Sequence, residues 1–161
     1  MTAPPSAPPL HVVAFQMKGE AYAIEIRLVQ AVQRLAPVTR VPNAPDFVEG
    51  VMNLRGRVLP VLDLRRRLGL PPAERGPRNR LMIVDMGGKT VGFVVDAVDR
   101  VLKLTADQVQ QASAFATGFE GGVKEYISAV ARLEGGHLMV LLDFTKILTR
   151  RERQALDSTG A

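Results

Sequence analysis

Few residues of this chain could carry catalytic chemistry. Its 161 residues include two histidines and no cysteine, which excludes disulfides, thiolate metal sites and a cysteine nucleophile. His11 and His137 have no partner at a spacing typical of metal ligands, so we interpret both as surface residues. No serine stands in a G-x-S-x-G motif, and the Gly-Gly pairs form neither a G-x-G-x-x-G nor a P-loop pattern. These observations predict a protein without a metal or a cofactor.

Four aspartates remain as candidates for acid–base chemistry. Asp63 and Asp143 each stand immediately before a short helical pattern, where an aspartate typically accepts a backbone hydrogen bond as the N-cap. Asp96 and Asp99 are close in sequence, and we interpret them as part of a solvated face or of local salt bridges. Because no acid–base pair or nucleophile emerges, the sequence favours a binding module over an enzyme.

The chain is basic, and its arginines are clustered. It has 21 Lys+Arg against 16 Asp+Glu and a pI near 10.1, a balance typical of nucleic-acid-binding proteins. Aromatic residues make up 5% of the chain and none is interleaved with the clusters, so stacking on bases has little support. We therefore favour a solvated face or a protein-binding surface and keep a basic β-barrel nucleic-acid-binding protein as the alternative. The clustered residues are Arg65, Arg66, Arg67, Arg75, Arg78 and Arg80, followed near the end by Arg150, Arg151 and Arg153.

Short strands and tight turns dominate the first half of the pattern. Residues 1–10, rich in Pro and Ala, predict a flexible tail, and the chain shows neither a signal peptide pattern nor an apolar run of membrane-spanning length. A strand from Val12, the turn Lys18-Gly19-Glu20 and an alternating strand predict a hairpin. Residues 51–62 predict a second hairpin around Arg55-Gly56, since glycine permits the backbone of a tight turn.

A helical pattern follows each of the two capping aspartates. The first is a short Arg-rich helix that Gly69 ends. The second extends over 143–156 as one C-terminal helix, and residues 151–161 form its end and a frayed tail.

The pattern of the first half recurs in the second half. Residues 81–104 align under 12–35 without a gap, and residues 138–148 align under 58–68, with turns and most apolar positions coinciding. We interpret this as two copies of one unit that contains a hairpin, a crossing segment, a second hairpin and a short helix. Units of about 60 residues are marginal alone, so we expect two small barrels that share an interface.

One segment is unusual for a simple hairpin. Arg55 stands at the tip of a tight turn between apolar strands. Plain solvent exposure is one interpretation. The other is a guanidinium that a rigid turn presents beside an apolar groove, which suits a protein interface because the planar fork makes several directed bonds.

The same segment carries a resemblance to a known family. Residues 50–70, GVMNLRGRVLPVLDLRRRLGL, resemble the signature of the CheW-like domain family, approximately G-(V/I)-x-N-L-R-G-x-(V/I)-x-P-(V/I)-x-D-L-R, and the similarity extends over about 12–149. The resemblance implies a mostly β fold of two SH3-like five-stranded barrels packed on a shared core, with short helices and a C-terminal helix. It implies one domain over 11–150, with subdomains at about 12–70 and 80–149, and leaves open an exchange of terminal strands between them.

The resemblance also implies a function and two binding surfaces. Family members are non-catalytic adaptors that couple methyl-accepting chemoreceptors to a CheA-type histidine kinase, in the cytoplasm at membrane receptor arrays. One departure stands at Ala31, where many relatives have an acidic residue. Carried over by position, the receptor groove comprises Ile26, Val29, Asn53, Leu54 and Arg55. The kinase-binding region is expected around Lys89, Val91, Phe93 and Val95.

Overall fold

The computed structural model of the chain describes residues 9–111 and 126–148. Short strands account for most of these residues, which confirms the predicted mostly β architecture, and 3₁₀ turns lie at Ile26–Leu28, Ala106–Gln108 and Glu134–Gly136. The strands are β1 (Leu10–Met17), β2 (Glu20–Glu25), β3 (Val29–Arg34), β4 (Val48–Leu54), β5 (Arg57–Asp63), β6 (Arg80–Asp85), β7 (Thr90–Val95), β8 (Ala97–Leu104), β9 (Val109–Gln111), β10 (Ile127–Arg132) and β11 (Leu138–Leu142). The α-helices are single turns, α1 (Leu64–Arg67) and α2 (Phe144–Ile147).

The strands form two sheets, each built from both halves of the chain. Sheet A has the order β8-β1-β2-β11-β10-β9 and sheet B has the order β3-β6-β7-β5-β4. All ladders are antiparallel except β2–β11 and β5–β7. The predicted subdomain boundaries at 12–70 and 80–149 therefore do not follow the sheets. The hairpin β1–β2, from the first half of the chain, pairs with strands of the second half in sheet A. The hairpin β6–β7, from the second half, pairs with strands of the first half in sheet B. The two halves therefore exchange equivalent hairpins.

The predicted repeat is present at the level of strand register. Aligned residues of the two halves make the same ladder partners in sheet A and in sheet B. The matching pairs are Val13↔Ile24 with Met82↔Phe93, and Val13↔Val101 with Met82↔Val32. Because a slip of one residue would turn every side chain to the opposite face, this match shows that the two sheets are copies of one arrangement.

The main core lies between the two sheets. Phe144 of α2 is fully buried, with its ring edge-on to Phe93 of sheet B at 5.0 Å and to Phe15 of sheet A at 6.4 Å between centroids. Leu62 and Leu64 belong to the same buried cluster. A smaller cluster fills the inside of each sheet, one in sheet A and one in sheet B. The sheets thus share one apolar core, as expected from the small size of each repeat.

The two predicted N-caps are confirmed. Asp63 accepts the N–H of Arg65 at 3.0 Å, and Asp143 accepts the N–H of Thr145 at 2.9 Å. Gly69, with a φ of 75°, ends α1 as predicted.

The predicted helix over 143–156 is wrong in its length. The helix ends at Ile147 because the next residue, Leu148, turns to an extended conformation (φ −116°, ψ 132°) and buries its side chain in the core. Residues from 149 onwards, including the predicted end 151–161, lie outside the described residues. Residues 1–8 of the predicted tail also lie outside them, and Leu10 already belongs to β1.

Replacing Leu62 by Ala tests the shared core. Leu62 is fully buried and pairs with Phe93 across the parallel ladder, so its truncation should lower the free energy of unfolding by about 2–5 kcal/mol through loss of apolar burial and a residual cavity. Urea unfolding measures this loss. Val58→Ala, at the exposed start of the same strand, is the matched control and should change stability by no more than about 0.5 kcal/mol. Equal effects of the two changes would contradict the burial of Leu62.

Candidate partner-binding surfaces

The predicted receptor-groove residues lie at one end of sheet B. The ladder directions bring the starts of β3, β5 and β7 to the same end as the ends of β4 and β6. Ile26, in the 3₁₀ turn before β3, therefore shares this end with the turn Arg55-Gly56 between β4 and β5. We call it the turn end of sheet B.

Sheet B curls so that its two edge strands approach each other. Shortly after β3, Thr39 bridges to Val51 of β4 through two backbone hydrogen bonds of 2.8 Å. Gly50 makes this contact sterically feasible, since a Cβ built at that position would lie 2.2 Å from the Thr39 carbonyl oxygen. The curl brings the strands that carry Val29 and Leu54 towards one another, although they are at opposite edges of the sheet order.

The residues of the motif Asn53-Leu54-Arg55-Gly56 have different structural roles in the turn. The Asn53 side-chain carbonyl accepts the Gly56 N–H at 2.9 Å and so closes the turn. Leu54 packs against the small apolar cluster inside sheet B. Arg55 is exposed at the tip with a φ of 51°, a left-handed conformation uncommon for a side-chain-bearing residue. Ile26 is also exposed, whereas Val29 is half-buried against the main core.

The predicted kinase-binding side chains are mostly inaccessible. Val91, Phe93 and Val95 are fully buried, because β7 is the central strand of sheet B and core clusters cover both of its faces. These three side chains therefore face the core, and the predicted kinase-binding region stays a prediction. Lys89, in the turn before β7, is partly exposed. Only the turn of the predicted region can meet a partner directly.

Lys89 borders a cleft that sequence reasoning missed. Val58 and Arg57 of β5 form the opposite side of this cleft, whose volume is about 180 Å³. Val58 is 52% exposed and is one of five large apolar side chains exposed in the described parts of the chain. A simple alternation along β5 does not predict this exposure, because residues 59–62 are all buried and Val58 shares a face with the buried Leu62.

An equivalent cleft recurs on sheet A. There Leu138, 61% exposed, stands at the position equivalent to Val58, and Glu20 stands at the position equivalent to Lys89. This cleft is larger, at about 940 Å³. A second equivalent pair, Val32 on β3 and Val101 on β8, is also exposed. Four of the five large apolar side chains exposed in the described parts of the chain thus occupy repeated positions, two on each sheet.

The arginine cluster acts within the molecule. Five of its six members donate hydrogen bonds to partners in the described residues, although Arg66, Arg75 and Arg78 remain exposed, so the predicted solvated or partner-binding face stays a prediction. The partners are Asp96 for Arg65, the Asp46 carbonyl for Arg66, the Ile147 carbonyl for Arg67, Glu49 and Asp63 for Arg75, and the Pro77 carbonyl for Arg80. Phosphates would have to compete with these contacts, so the structure does not favour nucleic-acid binding here. Arg150, Arg151 and Arg153 lie outside the described residues.

The pair Arg65–Asp96 is the best-enclosed ion pair of this cluster. Arg65 donates through Nε to one carboxylate oxygen of Asp96 at 2.8 Å and through a second nitrogen to the other oxygen. Burial alone would raise the pKa of Asp96, but hydrogen bonds from Arg65 and from the Lys18 N–H, with the charges of Arg65 and Arg75, hold that pKa below its usual value. Asp99 instead accepts from Gln16 at 3.0 Å. The prediction of local pairing, rather than acid–base chemistry, is confirmed for Asp96.

Two features are absent from the described residues, a candidate metal site and a helix able to cross a membrane. No group of three or more His, Asp or Glu residues within 9–111 and 126–148 could hold a metal ion. Among the helices of the same ranges, none combines the length and apolar composition that crossing a membrane requires.

The fold and these surfaces define a class: a β protein whose exposed apolar side chains lie at repeated sheet positions, as in a binding module. The family model described as "CheW-like domain" matches residues 11–152, and the chain belongs to that family. The chemotaxis protein CheW of Klebsiella aerogenes is 35% identical over 146 residues, covering 91% of this chain and 86% of that protein. The chemotaxis protein CheW of Rhizobium meliloti is 31% identical over 144 residues, covering 89% and 90%.

A solved structure agrees with this assignment. The crystal structure of the scaffolding protein TtCheW from Thermoanaerobacter tengcongensis matches with a TM-score of 0.75 at 26% identity, covering 83% of this chain and 88% of that chain. The family consists of non-catalytic scaffold proteins of chemotaxis, so the prediction that this chain is not an enzyme is confirmed. The SH3-like description of the individual barrels stays a prediction.

Acid unfolding tests the Arg65–Asp96 pair. Because the folded-state pKa of Asp96 is lowered, the pair stabilises the fold above the unfolded pKa of about 3.9, and this stabilisation is lost as the pH falls through the folded value. Asp96→Asn should therefore cost about 1–3 kcal/mol at pH 7, and its difference from the wild type should shrink in acid. Urea unfolding across pH checks this. Asp99→Asn, an exposed neighbour, is the control, and a pH-independent difference for Asp96→Asn would contradict the assignment.

Proposed function

We propose that this protein is an adaptor that couples methyl-accepting chemoreceptors to a CheA-type histidine kinase, in chemotaxis or a related signalling system. It works in the cytoplasm and is recruited to membrane receptor arrays through the receptors. Membership of the CheW-like family and relatives named as chemotaxis proteins support this proposal. The observation that carries it is the repetition of exposed apolar positions on both sheets, because an adaptor needs more than one docking surface.

The receptor binds at the turn end of sheet B. The cytoplasmic tip of the receptor is a helical hairpin, and a helix docks by placing its apolar face in a groove. Ile26, Val29 and Leu54 supply apolar surface at this end, and Arg55 supplies directed donors from a turn that Asn53 closes. The exposed Ala31 on β3 leaves this side of the groove without the acidic group found in many relatives.

The kinase binds through the clefts on both sheets. Its regulatory domain is itself CheW-like and therefore offers an equivalent pair of ends. Val58 beside Lys89 supplies an apolar contact with a basic rim on sheet B, and Leu138 beside Glu20 supplies the equivalent contact with an acidic neighbour on sheet A. These opposite charges at repeated positions would make the two ends bind different faces of the partner.

Coupling in this arrangement is a matter of free energy rather than chemistry. The adaptor holds the kinase domain beside the receptor tip, so that a shift of the receptor biases kinase activity. Typical coupling energies between two sites are about 1–3 kcal/mol. A rigid spacing between the two surfaces is sufficient for this task, and no catalytic group is needed.

Arg55→Ala tests the receptor site. The substitution keeps a Cβ at the left-handed position, so the thermal midpoint should stay unchanged. Affinity for a receptor-tip fragment, measured by titration calorimetry, should fall about tenfold or more, as expected for an interface arginine. Arg34→Ala, also exposed but at the other end of β3, is the matched control and should leave this affinity unchanged. A lowered thermal midpoint with intact binding would show that Arg55 is a structural residue.

Leu138→Asp and Val58→Asp test the kinase surfaces. Each change places a charge in an exposed apolar contact and should weaken binding to the regulatory domain of a CheA-type kinase by about tenfold, with the folded state retained. Titration calorimetry with that domain measures the effect. Leu138→Asp should leave receptor-tip binding unchanged, because Leu138 lies on sheet A. Unaltered kinase affinity in both variants, with the protein folded, would rule out the clefts as kinase sites.

A further inference from the structure

Arg67 stands where the two repeats meet. It is the last residue of α1, and its guanidinium carbon lies 5.1 Å from the ring centroid of Phe47 and 5.3 Å from that of Tyr126. Its Nε donates to the carbonyl of Ile147, the last residue of α2, at 2.7 Å. One side chain thus contacts segments from both halves of the chain.

The partners of Arg67 are equivalent residues of the repeat. Phe47 immediately precedes β4, and its carbonyl accepts the N–H of the α1 N-cap, Asp63, at 3.1 Å. Tyr126 immediately precedes β10, and its carbonyl accepts the N–H of the α2 N-cap, Asp143, at 2.7 Å. The guanidinium lies between these two equivalent rings. Ile147, which accepts its hydrogen bond, occupies the position equivalent to Arg67 itself. The side chain of Arg67 therefore lies between two equivalent sets of residues, one from each repeat. Only one of the two repeats can place a side chain at this point.

The contacts of Arg67 are directional, unlike the core around them. The rings of Phe15, Phe93 and Phe144 hold the sheets together mainly by apolar burial, and the hydrophobic contribution to that contact is non-directional. A planar guanidinium between two rings with a donor on a fixed carbonyl specifies both a plane and a direction. We propose that Arg67 is a positioning residue that fixes the orientation of sheet A relative to sheet B.

This orientation has a consequence that rests on the proposed function. The receptor site lies on sheet B, whereas one of the kinase sites lies on sheet A. Loss of Arg67 should therefore leave each binary affinity intact and reduce the coupling between them. A residue needed only for stability would not separate these quantities.

The direct test measures orientation without any partner. Backbone residual dipolar couplings of the full chain are fitted separately for sheet A and for sheet B. In the wild type one alignment tensor should describe both sheets. In Arg67→Met, which keeps the length of the stem, each sheet should keep its own internal fit while the two tensors differ. Arg66→Met, an exposed neighbour on the same helix, is the matched control and should keep a single tensor. A single, unchanged tensor in Arg67→Met would overturn the proposal.

Two gentler variants keep the test decisive if Arg67→Met fails to fold. Arg67→Lys retains a cation between the rings but has no planar fork to reach the Ile147 carbonyl. Tyr126→Leu removes one ring and leaves the hydrogen bond. Both should separate the tensors, and Tyr126→Leu should also shift the proton resonance of Arg67 Nε, since a ring current acts on it in the wild type. One common tensor and an unshifted resonance in these variants would overturn the proposal.

The functional consequence has its own readout. In Arg67→Met, affinities for a receptor-tip fragment and for the kinase regulatory domain should each stay within about twofold of the wild type, while receptor-dependent kinase activation falls about tenfold. Separate tensors with unaltered activation would overturn the link to coupling but leave the positioning role. Absence of binding to either partner in the wild type would instead overturn the proposed function. The dipolar couplings would still test the positioning role of Arg67, because they need no partner.

Discussion

The rest of the structure depends on the apolar core that the two sheets share. Each sheet combines the first hairpin of one repeat with the crossing strand and second hairpin of the other. Neither repeat can therefore bury its apolar faces alone, and the ring of Phe144, between Phe15 and Phe93, has its full environment only when both sheets are in place. The two proposed binding ends consequently belong to one cooperative unit rather than to two domains joined by a linker.

The repeat duplicates backbone geometry but not chemistry. Equivalent positions carry Lys89 on one cleft and Glu20 on the other, and Arg67 at one helix end faces Ile147 at the other. The backbone register is the same in both sheets, so these differences come from side chains alone. A duplicated scaffold with diverged side chains gives two surfaces at equivalent positions that differ in size and in the charged residues beside them. Such surfaces can bind distinct faces of a partner in a defined order.

Sequence reasoning succeeded where the signal was local. The turn at Arg55-Gly56 and the cap at Asp63 depend on neighbouring residues, and the gapless alignment of the halves predicted the matching registers. The assignment of hairpins to sheets could not be predicted, since an exchanged hairpin has the same local pattern as one that stays. The partners of the arginines were hidden for a related reason: Asp96 is 31 residues from Arg65, and Ile147 is 80 from Arg67. The burial of β7 could have been predicted from the sequence, because a continuous apolar run is typical of a strand covered on both faces.

The usefulness of the predicted site residues differed from residue to residue, because long-range packing decides which side chains are exposed. A family motif names positions, but only burial decides whether a side chain faces the core or a partner. Arg55 is exposed and Phe93 is fully buried, although both lie in segments carried over from the same resemblance. In a scaffold this distinction determines what a mutation can reveal. A change at the rim, such as at Val58, alters one surface, whereas a change in the shared core alters the spacing between both surfaces at once. Defects in coupling therefore identify a contact only when the altered residue is exposed and the sheets keep their orientation.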